Sequence, residues 1–441
     1  MSKEMYDLKK KIYRDIKKFY LLKKEENKKT AQNRRITYAK AIFDHKEAVS
    51  MLDSIFNEWL GLGPKAREFS KQFSSYLGVS KTALVNSGSS ANLIALAALK
   101  SNKIQRPMKT GDEVITPAVT FPTTFNPIIQ NGFVPKVVDA NLGTLNIDIE
   151  KLKGAISSKT KAIILPHTLG NPNEMDAIMN LVDEYKLYLI EDNCDALGSE
   201  YGGKKTGSFG MMSTCSFYSA HHITMGEGGA VSIVNEDNNL YRAVTSLRDW
   251  GRDCWCDGDE KSPAGACKRR FDWEIDGIKY DHRYMYTHIG YNLKPTEIQA
   301  AMGVEQMKRI DFFVKRRREN FHYLFSKLKK YEEFLSFVKP PKKANPSWFA
   351  FPITLKNNCN FTRHEIITYL ENKGIQTRLI FAGNIAKQPA YKNVKIIVSD
   401  NLANSENIMK NSFFIGVHPE INKNQLEYMV KVFDDFIGGI K

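Results

Sequence analysis

Between residues 83 and 234 the chain repeats seven short apolar runs: Ala83–Val85, Val114–Thr116, Lys136–Val138, Ala162–Leu165, Leu187–Ile190, Cys215–Tyr218 and Ala230–Val234. Each is too short for a helix, and most are continuous rather than alternating, the pattern of strands buried on both faces. Helical stretches such as Ala91–Leu99 and Asp176–Tyr185 lie between several of them. Strands interleaved with helices predict an α/β fold, with a large mixed, mostly parallel sheet covered on both sides.

The 441 residues are enough for two or three domains. We expect a basic helical segment over 1–50, a large domain over 51–325 and a small α+β domain over 326–441. A Pro/Lys-rich linker, Lys339-Pro340-Pro341-Lys342-Lys343, lies near the start of the last. The stretch 251–288 is polar and without clear period, too long for a plain connector. A long helical stretch is expected from about Pro295 to Leu328.

No stretch approaches the roughly 18–20 apolar residues of a membrane helix, and the N-terminus lacks a signal peptide's apolar core. Six cysteines are too sparse for a disulfide framework, which predicts a reducing, cytoplasmic setting. The net charge of +15 admits nucleic acid, a membrane surface or an anionic substrate as partner. Residues 1–35, however, hold thirteen Lys/Arg and five Asp/Glu, more than half of the excess. There Met5, Leu8, Ile12, Ile16 and Phe19 recur at helical spacing. This is an amphipathic helix whose apolar stripe docks on the body or on a second subunit, a reading preferred over a nucleic-acid or lipid-binding one.

Three runs carry chemistry. Asn86-Ser87-Gly88-Ser89-Ser90-Ala91-Asn92 follows a strand and opens a helix, so Gly88 and Ser89 could let a phosphate approach free N–H groups; the same residues also make an ordinary helix cap. Leu189-Ile190-Glu191-Asp192-Asn193-Cys194-Asp195 runs from a strand into acids. Asp192 there could hold a pyridine nitrogen protonated, or serve as a loop acid. The third run is Ser216-Phe217-Tyr218-Ser219-Ala220-His221-His222-Ile223-Thr224-Met225-Gly226-Glu227-Gly228-Gly229.

Together these runs resemble the sugar-nucleotide aminotransferase family of the DegT/StrS type, within the pyridoxal-phosphate-dependent transferase fold type I superfamily. There a Ser-Phe-x-x-x-Lys run supplies a phosphate-binding serine and the Schiff-base lysine. Ser216 matches the serine, and His221 stands where the lysine would be. A neutral imidazole forms no stable Schiff base, but it is a base with an ordinary pKa close to neutral. Within the family the replacement resembles the 3-dehydratases of deoxysugar biosynthesis. Arg248-Asp249-Trp250-Gly251-Arg252-Asp253-Cys254 and Thr377-Arg378-Leu379-Ile380-Phe381-Ala382-Gly383-Asn384 extend that resemblance.

The resemblance implies further roles: Phe121 stacking on the cofactor ring, His167 at a cofactor-site strand end, and Asn292 reaching the cofactor phosphate of a partner subunit in a homodimer. Cys254, Cys256 and Cys267 crowd the polar stretch, and Cys194 follows Asp192 by two residues. Four thiolates suit an iron–sulfur cluster or zinc. The resemblance implies a [2Fe-2S] cluster on Cys194, Cys254, Cys256 and Cys267, with slightly longer gaps than the family pattern; Cys215 is the alternative to Cys194 as remote ligand, and Cys194 is preferred because it sits beside the cofactor acid. The expected activity is pyridoxamine-phosphate-dependent loss of the C3 hydroxyl from a nucleotide-linked 4-keto-6-deoxyhexose, CDP-linked by the resemblance, for 3,6-dideoxyhexoses of surface polysaccharides such as lipopolysaccharide. His221 would act as base and Asp192 would hold the ring protonated. Electrons would come from an NAD(P)H-dependent flavin/iron–sulfur reductase, since the chain shows no convincing nicotinamide fingerprint of its own. The alternatives are a cluster-free dehydratase taking its amine from glutamate, then a sugar aminotransferase, then an inactive DNA-binding regulator on the same fold.

Overall fold

The computed structural model describes residues 1–29, 35–254 and 270–439. Among these, the seven expected strands all form, with bounds shifted by one to three residues. They are β1 (Lys81–Val85), β2 (Glu113–Pro117), β3 (Val134–Val138), β4 (Thr160–Pro166), β5 (Tyr188–Asp192), Met212–Ser216 and Gly229–Ile233. With Ile397–Val398 they make an eight-stranded sheet in the order β1, Gly229–Ile233, Met212–Ser216, β5, β4, β2, β3, Ile397–Val398. From Met212–Ser216 to the far edge every neighbouring pair is parallel. Gly229–Ile233 runs antiparallel to both its neighbours. The central parallel strands β2, β4 and β5 are buried along most of their length because helices cover both faces.

Four helices precede or flank β1: α1 (Lys3–Lys29), α2 (His45–Phe56), α3 (Pro64–Leu77) and α4 (Gly88–Ala98). Apolar on nearly every side, α4 is buried on nearly every side, and it packs under the sheet beside β1. The expected basic helix is α1. It docks on α2 through Lys9, whose ammonium lies 2.5 Å from Asp53, and Tyr13, which donates to the same carboxylate at 3.0 Å and stacks on Phe56. Its apolar stripe is divided: Ile12 and Ile16 are half-buried, while Met5, Leu8 and Phe19 are exposed.

The helical stretch expected over Pro295–Leu328 is two helices, Glu297–Met307 and Ile310–Leu328. Arg309 leaves the helical path (φ −117°, ψ 4°), and its guanidinium pairs with Asp44 and with buried Glu47 at the start of α2. Helix propensity is a weak prior that such tertiary pairing overrides. In the stretch expected as a polar loop, the described part holds a hairpin, Trp273–Ile275 with Ile278–Tyr280. Among the described residues, no helix is long and apolar enough to cross a membrane.

The C-terminal region carries an antiparallel sheet ordered Leu335–Phe337, Ala350–Leu355, Ser412–Gly416, Thr377–Arg378. The segment after α1 straps onto it: Ile36 bridges Ile375, its N–H donating to Gly374 O at 2.8 Å and its carbonyl accepting from Gln376 N at 2.8 Å. The strap lies so close that a Cβ on Gly416 would fall 2.5 Å from Thr37 O and 2.8 Å from Tyr38 O. Gly416→Ala should therefore displace the strap and cost about 1–3 kcal/mol, the usual range for overpacking. A denaturation midpoint equal to the wild type would refute the close approach.

Candidate active site

β5 delivers Asp192 from the carboxyl end of the sheet into a cavity of about 460 Å³. Three groups fix its carboxylate. Asn92 Nδ2 and Thr124 Oγ1 donate to Oδ2 at 2.8 and 2.7 Å, and Cys194 N donates to Oδ1 at 3.2 Å. Asn92 is itself oriented, its Oδ1 accepting from Thr214 Oγ1 at 2.6 Å. These three donors fix the orientation of a carboxylate that also lines the cavity.

The first turn of α4 forms another wall. Ser87 caps it, accepting from Ser90 N at 3.1 Å, and Ser87, Gly88, Ser89 and Ser216 all line the cavity. A Cβ on Gly88 would fall 2.5 Å from Ser216 Cβ and 3.1 Å from Cys194 Sγ. Only glycine lets this helix terminus, with its free N–H groups and positive dipole end, come so near the strand carrying Ser216. Phe121 caps the next helix, Pro122–Gln130, and is 51% exposed, its ring open to the cavity.

His221 completes the arrangement. Its ring lies 5.4 Å from the Phe349 ring, and its Nδ1 stands 3.4 Å from Asp195 Oδ1 without forming a hydrogen bond. Burial, opposed by the charge of Asp192 and aided by that of the buried Arg317, lowers its pKa to about 4. Arg317 also donates to the His221 carbonyl at 3.4 Å. Burial and the charge of Asp192 raise Asp195 to about 8. At neutral pH those two shifts leave an unprotonated imidazole beside a protonated carboxyl. Among the described residues, no lysine lines the cavity.

The structure therefore brings Gly88, Ser89, Phe121, Asp192, Cys194, Ser216 and His221 to one cavity. It does not bring His167 there. Fully buried, that ring lies 3.1 Å from Glu191 and accepts from Asn173 N at 3.1 Å; it braces the β4–β5 ends from behind. Asn292 sits outside the cavity of its own chain, bridging Asp249 and accepting from Lys294 at 2.8 Å. Cys194 lies beside Asp192, and burial holds its thiol well above the usual range. Cys254, which is not among the residues lining the cavity, follows Asp253, whose N–H donates to Met285 O at 2.7 Å. Cys256 and Cys267 lie outside the described residues. Among those described, no three ligand-type side chains gather as a metal site. The cavity also takes in Asp195, Tyr38, Phe349 and Arg378, which sequence spacing did not single out.

A pyridine ring with a phosphate arm fits these residues: a fixed carboxylate for the ring nitrogen, an aromatic wall, and a helix N-terminus with two serines for the phosphate. Fold and cavity together define a protein of the pyridoxal-phosphate-dependent transferase fold. The DegT/DnrJ/EryC1/StrS aminotransferase family model matches residues 43–434, and the chain belongs to that family. It is 44% identical over 398 residues to the lipopolysaccharide biosynthesis protein RfbH of Salmonella typhimurium, covering 89% of this chain and 90% of that one. It is 43% identical over 400 residues to a dTDP-4-dehydro-2,6-dideoxy-D-glucose 3-dehydratase of Saccharopolyspora spinosa, covering 90% and 85%. A solved GDP-4-keto-6-deoxymannose 3-dehydratase with a trapped PLP–glutamate geminal diamine superimposes with a TM-score of 0.81 at 30% identity, covering 90% of this chain and 99% of that one.

An imidazole with a folded pKa near 4 binds fewer protons than its unfolded counterpart, ordinary value 6.5, between those two pH values. This residue therefore withdraws stability as pH falls through that window. In an NMR titration His221 should show no ring protonation from pH 8 down to 5; a midpoint near 6.5 would contradict the buried, unprotonated state.

Proposed function

We propose that this chain removes the C3 hydroxyl of a nucleotide-linked 4-keto-6-deoxyhexose, using pyridoxamine or pyridoxal phosphate. The observation that carries the reading is a pyridoxal-type cavity with His221 and, among the described residues, no lysine on its wall. The named 3-dehydratases among its relatives support the same reaction class.

When bound, the cofactor supplies an amine able to condense with the sugar's C4 ketone and a ring able to withdraw electrons. In this reading Asp192, held by Asn92 and Thr124, keeps the ring nitrogen protonated through a charge-assisted hydrogen bond. The α4 terminus, with Ser89 and Ser216, anchors the phosphate, and Phe121 covers the ring. His221, untethered and unprotonated, takes the proton from the cofactor's C4′ carbon. Its pKa, set low by burial, keeps the base form populated across the physiological range. Asp195, next to Nδ1, holds the proton that the imidazole lacks.

Within this class the trapped PLP–glutamate relative favours the cluster-free branch, in which glutamate supplies the amine. Reductive deoxygenation through a [2Fe-2S] cluster and a partner reductase is the second reading. It rests on Cys194, Cys254, Cys256 and Cys267, three of them within fourteen residues of sequence. A CDP substrate, and a homodimer in which Asn292 serves the neighbouring site, rest on the sequence resemblance.

His221→Asn should retain cofactor absorbance and lose C3 dehydration by roughly 100- to 10,000-fold, the usual worth of a positioned base. Undiminished turnover would remove His221 from the chemistry. Iron and acid-labile sulfide measured after anaerobic purification separate the two branches. Stoichiometric iron that Cys254→Ala abolishes and Cys359→Ala spares establishes the cluster branch. Iron-free protein that turns over with glutamate establishes the other.

A further inference from the structure

We propose that Arg378, stacked on Tyr38 at the cavity mouth, is the binding site for the diphosphate of the nucleotide-linked substrate. The inference rests on the reading of the cavity as a sugar-nucleotide site and assigns a residue to the part of the substrate that carries its charge.

Charge makes the first argument. Three carboxyl groups line the cavity, those of Asp192, Asp195 and Glu227, and His221 is unprotonated at neutral pH. Among the described residues, Arg378 is the one lining residue with a permanent positive charge. A dianionic ligand entering such a cavity needs a cation to meet it, and a guanidinium matches phosphate oxygens with paired N–H donors. The α4 terminus cannot fill that role, since the cofactor's own phosphate claims it. Arg378 lies on a separate segment from α4, and it is exposed at the rim, where a nucleotide would project from a sugar held inside.

Geometry makes the second. The guanidinium carbon sits 4.5 Å from the centre of the Tyr38 ring, so the aromatic face orients the charge without neutralising it. Nη1 donates to Thr377 O at 2.7 Å, and among the described residues no carboxylate pairs with the guanidinium. Tyr38 is itself fixed. Its N–H donates to Gln376 Oε1 at 3.1 Å, its ring packs edge-on to Phe414 at 6.0 Å, and the strap carrying it is bridged to Ile375. A stacked, carboxylate-free arginine on a pinned platform is organised before its ligand arrives, which limits the ordering entropy lost on binding. The strap thereby becomes part of the binding site rather than a connector.

The test is calorimetric binding of CDP, GDP and dTDP to cofactor-loaded protein, with L-glutamate as a separate arm. Arg378→Met should weaken all three diphosphates by about 10- to 100-fold, the worth of hydrogen bonds to a charged group. Arg378→Lys should lose part of that, and Tyr38→Ala about 2- to 30-fold through the lost cation–π contact. Cofactor absorbance and melting temperature should stay as in the wild type in Arg378→Met. Wild-type affinity for the diphosphates in Arg378→Met overturns the proposal. So does a variant that loses glutamate binding alone, which would make the site a carboxylate clamp, or a wild type that binds none of the three. Weakened diphosphate binding in a protein that dehydrates no 4-keto sugar keeps this site and sinks the function above.

Discussion

The hold on one carboxylate organises this molecule. Asp192 stands at the end of β5, yet its donors come from α4 through Asn92, from the helix after β2 through Thr124, and from the following turn through Cys194 N. A buried carboxylate without donors would take up a proton, and a protonated acid cannot keep a pyridine nitrogen charged. The sheet order that sets β5 near the middle, and the glycine that lets α4 approach, are therefore conditions of the chemistry as much as of the fold.

A second constraint opposes the first across the same cavity. The surroundings that keep Asp192 supplied with donors leave Asp195 and His221 short of them, and burial moves their two pKa values past each other. Two acids three residues apart thus sit in different surroundings: Asp192 is held by three donors, and Asp195 keeps its proton beside a base. Arg317, wholly buried and bonded to the carbonyls of Trp348, Phe349 and His221, places a positive charge behind that base and ties it to the C-terminal region.

Much of this was legible in the sequence where one segment carries the whole signal. Continuous apolar runs marked the large sheet's strands from β1 to Gly229–Ile233 in chain order, though not the short pair Glu200–Tyr201 and Lys204–Lys205, and the resemblance to the Ser-Phe-x-x-x-Lys run put an imidazole at the expected lysine position. What escaped depends on distant segments meeting. Nothing near Arg378 announces that Tyr38, 340 positions earlier, will lie beneath it, because strap and strand meet only through the Ile36–Ile375 bridge. The break at Arg309 is hidden for the same reason: its cause is a pair of acids at the start of α2. His167 shows the converse, since a histidine at a strand end reads as a site residue until the structure pairs it with Glu191.

The edge strand Ile397–Val398 has a consequence for biosynthesis. It pairs with β3, matching Ile397 to Lys136 and Val398 to Val137. On the ribosome, β3 emerges some 260 residues before the strand that covers it. Throughout that interval the nascent chain carries a bare parallel edge of the kind that recruits foreign strands, and its protection waits until residues 397 and 398 have emerged.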